Sequence, residues 1–188
     1  QRLPLLEIAF PALKRRPPDF VTRVLDTAKA MIDADGRVDV FEYLLSRVIS
    51  MHLWESHNPH KVRVSGVRPI KTCGDEVLAL LAVLARHGAT SSGEAEAAFA
   101  AGLKDIGLDS DTPIPDVREW MAVLDSALPK LDGLKSAEKE KLVRAMTSVV
   151  LHDGRLDATE MELLRVSSDL IHVPLPLLTA PRQTSPQS

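Results

Sequence analysis

The chain has 188 residues, 45% of them apolar and 4% aromatic, and carries a formal net charge of −3. That length and apolar content are enough for a buried core and exclude a wholly disordered chain, while plentiful Ala and Leu beside so few aromatics favour packed helices over a β-sandwich. The charge gives no general attraction to nucleic acid or to an anionic membrane, and a lone cysteine, Cys73, excludes an internal disulfide framework.

The chain starts at Gln1 and enters the apolar stretch Leu3 to Phe10 at once, so it is expected to be a piece of a longer protein; a signal peptide would need a longer apolar core behind basic residues. No apolar run approaches the ~18 residues that a membrane span requires, so no direct membrane insertion is expected. Phe20, Val21, Val24, Leu25, Ala28, Met31 and Ile32 recur at helical spacing after Pro17-Pro18 and predict a helix from Pro18 to Ala34. Phe41, Leu44, Leu45, Val48, Ile49 and Leu53 predict the next helix. The stretch from Asn58 to Lys71 has prolines, a glycine and basic residues without periodicity, and reads as an ordered loop or linker.

The apolar run from Val77 to Leu84 predicts a buried helix ending near Gly88. Ser91-Ser92-Gly93-Glu94 has the form of a capping box before an Ala-rich helix carrying Phe99, Leu103 and Ile106, and Asp116 to Glu119 offers the same device before Trp120, Met121, Leu124 and Leu128. Ser136 opens a further helix, and a last one is expected from Asp157 to Ile171, stopped by Pro174 and Pro176.

Asp35-Gly36-Arg37-Val38-Asp39-Val40-Phe41-Glu42 returns as Asp153-Gly154-Arg155-Leu156-Asp157-Ala158-Thr159-Glu160. In the same register Val24, Leu25, Ala28, Met31 and Ile32 fall on Leu142, Val143, Met146, Val149 and Val150. One helix-turn-helix unit is duplicated. The expected architecture is an all-α bundle of about seven or eight helices, with repeat units over about 18–56 and 136–172 flanking a helical insert over 74–131. The two copies are expected to pack together as a single domain over 1–179, leaving 180–188 as a disordered tail.

The repeated turn has two readings. Gly36 and Gly154 supply the positive φ that ends a helix, Asp39 and Asp157 stand at N-cap positions, and Glu42 and Glu160 follow three residues later to complete capping boxes. Alternatively Asp35, Asp39, Glu42, Asp153, Asp157 and Glu160 gather oxygen ligands for calcium or magnesium. Asp33 to Gly36 matches part of an EF-hand loop, but the run of alternating acids is short, and Asp33 aligns with Leu151. Capping is the preferred reading.

His52, His57 and His60 lie close together but form no H-E-x-x-H motif and have no cysteine nearby, and His52 falls on the apolar stripe of its helix, which suits a core or boundary residue. Cys73 has no nucleophile signature, and no phosphate loop or G-x-S-x-G elbow occurs. Lys14, Arg15, Arg16, Lys61, Arg63, Arg68 and Lys71 could form a basic surface. Without interleaved aromatics it suits a solvated face or contact with acidic lipid or protein better than nucleic acid.

Met31 to Glu42 and Val149 to Glu160 resemble the paired hairpins of the TerB-like tellurite-resistance fold. More particularly, Leu3-Pro4-Leu5-Leu6-Glu7, the Ile32 to Asp39 stretch with Phe41-Glu42-Tyr43, the Glu94 to Gly102 run and the second Asp-Gly-Arg are similar to the C-terminal extension of bacterial membrane-bound zinc metallopeptidases of the CAAX-prenyl endopeptidase family. In that family zinc is held by an H-E-x-x-H helix and a further glutamate. This chain carries none of these positions, so no catalytic residue is carried over, and zinc is expected only in the parent's peptidase domain. The resemblance implies a non-catalytic accessory domain, a regulatory or protein-interaction module on the cytoplasmic face of the bacterial inner membrane, with the attached peptidase domain or a protein substrate as partner. The alternative it implies is calcium or magnesium binding in a stress or tellurite-resistance context, at the six acidic positions named above.

Overall fold

The computed structural model describes residues 11–34, 39–63, 65–154, 158–173 and 175. Helix α1 spans Pro18–Ala34, α2 Val40–His57, α3 Gly74–Gly88, α4 Ser92–Ile106, α5 Trp120–Asp132, α6 Ser136–Val150 and α7 Ala158–Asp169, and the described residues contain no β-strand. The protein is all-α, as its composition and periodicity predict.

Helix starts show which local signals operate. Pro17 offers its carbonyl to the amides of Phe20 and Val21 at the head of α1. Asp39 caps α2, its carboxylate accepting from Phe41 N at 2.8 Å and Glu42 N at 3.4 Å. Ser91 caps α4 through Glu94 N, but the Glu94 carboxylate returns to the amide and hydroxyl of Thr90, one residue earlier than in an ordinary capping box. The box expected at Asp116 does not form. The helix begins at Trp120, so Glu119 holds the cap position of α5, without a side-chain bond, and Asp116 lies three residues short of it, its carboxylate accepting from Arg118 Nε at 2.8 Å.

Helix α3 is the hub. From Val77 to Ala85 every side chain but Leu78 is buried, as expected of a helix that is apolar on all sides. It packs against α2, α4, α5 and α6, while α4 and α6 lie against each other. Buried apolar side chains from α2 to the end of α7 form one contiguous cluster. Helix α2 packs on α7, whereas α6 packs mainly on α3 and α4. Phe20, expected on the core stripe of α1, is 38% exposed beneath the Arg16 guanidinium, while Val21 turns into the protein.

The segment after α2 is held firmly. It contains two short 3-10 turns, Pro59–Lys61 and Ile70–Cys73, and pairs with the α5–α6 link through Gly66 N to Leu134 O, Arg68 N to Gly133 O and Lys135 N to Arg68 O, each 3.0 Å. A Cβ on residue 66 would lie 1.9 Å from the Gly133 carbonyl oxygen, so only glycine permits this approach. The pairing places Lys61, Val62 and Arg63 beside the end of α5.

Candidate binding groove

The sequence singles out the acidic turns. Asp39 is an N-cap, as the capping reading expects. Gly154 adopts φ 74°, the left-handed turn predicted for it. Asp35 and Asp157 lie outside the described residues, as do Gly36 and the link from Arg155 to Leu156. Both turns approach the C-terminal end of α3: His87 Nε2 is 3.8 Å from Asp39 Oδ2, and His87 and Gly88 line a cavity of about 170 Å³ together with Glu160. Asp153 and Glu160 border a smaller void with Glu94 and His152. Among the described residues, no three His, Cys, Asp or Glu side chains converge to hold a metal ion.

A larger feature lies at the opposite end of α2. Arg47, Ser50, Met51, Trp54 and Glu55 recur at helical spacing and so share one face of that helix. Lys61, Val62 and Arg63 face them across a groove. Leu128, Pro129 and Asp132 of α5 and Leu170 and His172 beyond α7 complete it, around a cavity of about 590 Å³. Leu128 and Leu170 are buried in its floor, and Trp54 stands at its mouth 51% exposed.

The inner wall is a chain of imidazoles and carboxylates. His172 follows α7 with φ 55°, a left-handed conformation that glycine normally supplies. Its backbone closes α7 in a Schellman arrangement: Val173 N donates to Ser168 O at 3.0 Å and His172 N to Asp169 O at 2.9 Å. Left-handed backbone costs a non-glycine residue roughly 1–2 kcal/mol, so something must hold it there. The ring does so, with Nδ1 donating to Asp132 Oδ1 at 2.8 Å and Nε2 to Glu55 Oε1 at 2.5 Å. A ring that donates from both nitrogens is an imidazolium. The bond to Asp132 is the main cause of a His172 pKa raised to about 9, against the opposing effect of burial.

Two further groups extend the chain. His52 Nε2 lies 2.7 Å from Asp169 Oδ2 and its Nδ1 3.4 Å from Glu55 Oε2, and its bond to Asp169 raises its pKa although burial opposes the shift. Lys139 of α6 is 1% exposed and donates to Asp132 Oδ1 at 2.7 Å. Burial pushes the Asp132 carboxyl up, but the bonds from His172 and Lys139 outweigh it and hold the group below the usual carboxylate range. The network thus ties α2, α5, α6 and the end of α7 to one another. Beside it, Tyr43 donates to Asp125 at 2.5 Å and Arg47 pairs with Asp125 at 3.1 Å, a second link between α2 and α5.

The histidines grouped by sequence separate in space. His52 is a boundary residue engaged by carboxylates, while His57 Nδ1 bonds the Leu53 carbonyl of its own helix at 2.7 Å. Sequence reasoning missed His172, Glu55, Asp132, Asp169 and Lys139. The available signal was a histidine immediately beyond the expected helix end at Ile171 and two residues before Pro174, where glycine or asparagine is the usual choice. With both ring nitrogens engaged, His172 acts as a positive brace, and the open groups of the groove are Trp54, Lys61 and Arg63.

The fold and groove define a class of protein, an all-α domain with an open interhelical groove. Comparison of the chain with protein-family models, with curated proteins and with solved structures gives no match.

Proposed function

We propose that this chain is a non-catalytic accessory domain of a bacterial membrane-bound zinc metallopeptidase, acting as a regulatory or protein-interaction module. The observation that carries this reading is the groove between α2, the Lys61–Arg63 segment and α5. A cavity of about 590 Å³ with a half-exposed tryptophan at its mouth and leucines in its floor is large enough to seat the side chains of a partner. The sequence similarity described above supplies the parent, so the partner is the attached peptidase domain or a protein substrate, met at the cytoplasmic face of the membrane. No helix among the described residues is long and apolar enough to cross a membrane. Deleting the region from the full-length peptidase should lower the stability of the detergent-extracted enzyme or narrow its substrate range. Unchanged values of both would overturn the reading.

A second reading, calcium or magnesium binding, is favoured by one observation: both acidic turns border His87 at the same end of α3. Calorimetric titration with calcium should then show binding that is lost in the Asp39→Asn, Asp157→Asn double variant, since Asn still caps a helix but ligates cations more weakly. Absence of binding would leave the turns as caps.

A further inference from the structure

We infer that the groove takes an acidic segment of a protein partner, one in which large apolar side chains are flanked by Asp or Glu. The inference rests on the interaction-module reading and specifies the partner's chemistry. It follows from the charges that face the groove. The carboxylates there are already matched: Glu55 and Asp132 hold His172, Asp132 also holds buried Lys139, and Asp125 holds Arg47. Lys61 and Arg63 are exposed on the facing wall and pair with no carboxylate among the described residues. The mouth therefore carries surplus positive charge, although the chain as a whole is at −3.

The rest of the lining is apolar. Leu128, Pro129 and Leu170 form a floor that an aliphatic or aromatic side chain would cover, and the Trp54 ring would flank it. Burying apolar side chains on that floor supplies attraction without direction. The two cations at the edge supply direction, because a flanking carboxylate meets them where an ammonium would be repelled. An open trough with an exposed rim suits a segment of polypeptide better than a small amphiphile, whose alkyl chain would stay partly in water. The brace behind the wall matters too: His172 and Lys139 neutralise the carboxylates that would otherwise repel an acidic segment.

The test uses two dye-labelled peptides with the same central pair of leucines, one flanked by glutamates and the other by lysines, titrated against the intact chain by fluorescence anisotropy. The glutamate-flanked peptide should bind at least about tenfold more tightly, with the preference shrinking as salt is raised. Trp54→Ala should weaken it, and the Lys61→Glu, Arg63→Glu double variant should reverse the preference. These residues are exposed, so the variants should keep the helical circular dichroism of the parent, which is checked first. Equal binding of the two peptides, indifference to the charge reversal, binding of neither, or displacement of the peptide by decanoate at equal concentration would each overturn the inference. The deletion experiment on the full-length peptidase does not depend on this groove, so failure here and failure of the module reading are separately visible.

Discussion

The two ends of α2 and α7 solve the same problem, how to satisfy charged groups at a helix terminus, by opposite means. At the α3 end, Asp39 finds its partners two and three residues along its own chain. At the groove end, Lys139 and His172 reach Asp132 from 7 and 40 residues away and His172 reaches Glu55 from 117, while Glu55 also meets His52 one turn back on its own helix. The first is turn chemistry and is worth tenths of a kcal/mol to about 2. The second is a part-buried ionic cluster that holds only if several helices are already in place. Local caps start helices, and the cluster fixes how finished helices sit against one another.

That contrast can be broken from the groove end with the largest effects. Asp132→Ala removes the carboxylate that Lys139 and His172 share and with it two charged hydrogen bonds, each worth about 1.5–3 kcal/mol, so it should cost about 3–5 kcal/mol in urea unfolding. Lys139→Met should cost far less, since an apolar chain fills the site and Asp132 keeps His172; equal losses would show that the pair is not the keystone described.

His172→Gly sharpens the comparison further. It relieves the left-handed backbone, worth roughly 1–2 kcal/mol, but removes two charged hydrogen bonds, each worth about 1.5–3 kcal/mol, so a net loss of about 1–5 kcal/mol is expected. The loss should depend on pH. Folding raises the pKa of His172 from its ordinary 6.5 to about 9, so its contribution is full below pH 6.5 and disappears as pH rises through about 9. His52 is shifted in the same direction and adds to this slope. Parent and variant should therefore differ most in melting temperature just below pH 6.5 and converge above pH 9. A constant gap would argue that the ring acts by shape alone. Toward acid, protonation of Asp132, whose folded pKa lies below its ordinary value, should weaken the cluster again.

The acidic end should respond less. Asp39→Ala removes the α2 cap and should cost about 1 kcal/mol, with Asp39→Asn close to neutral. Gly154→Ala, at φ 74°, should cost roughly 1–2 kcal/mol, against nothing comparable for an exposed glycine of ordinary backbone. Smallest of all, Lys61→Glu with Arg63→Glu should change stability by no more than about 0.5 kcal/mol per site. A large change there would mean that these cations brace the fold.

The helices were legible because each is written in local terms. Pro17-Pro18, Asp39, Ser91 and the apolar periods between them place α1, α2 and α4 within a residue or two of where they lie, and the end of α3 at Gly88, though α3 begins at Gly74, before the apolar run that marked it. The box expected at Asp116 shows the limit of such reading, since α5 starts only at Trp120 with Glu119 at its cap position. The candidate site was not legible: Lys139 sits in an alternating run of charges, Glu138 to Lys141, that reads as a solvated face, and yet it is buried.

By itself, then, the sequence determined the all-α class and the caps at Asp39 and Ser91, because backbone dihedrals, amide satisfaction and amphipathic period act over a few residues. The tertiary structure alone decided that His172 would join Glu55 to Asp132, that Lys139 would be buried against the same carboxylate, and that Lys61 and Arg63 would face Trp54 across a groove. Charge pairs of that kind depend on which helices meet and at what height. Those are set by the packing of α3 against its neighbours and by the close passage of Gly66 over Gly133, which no period in the sequence records.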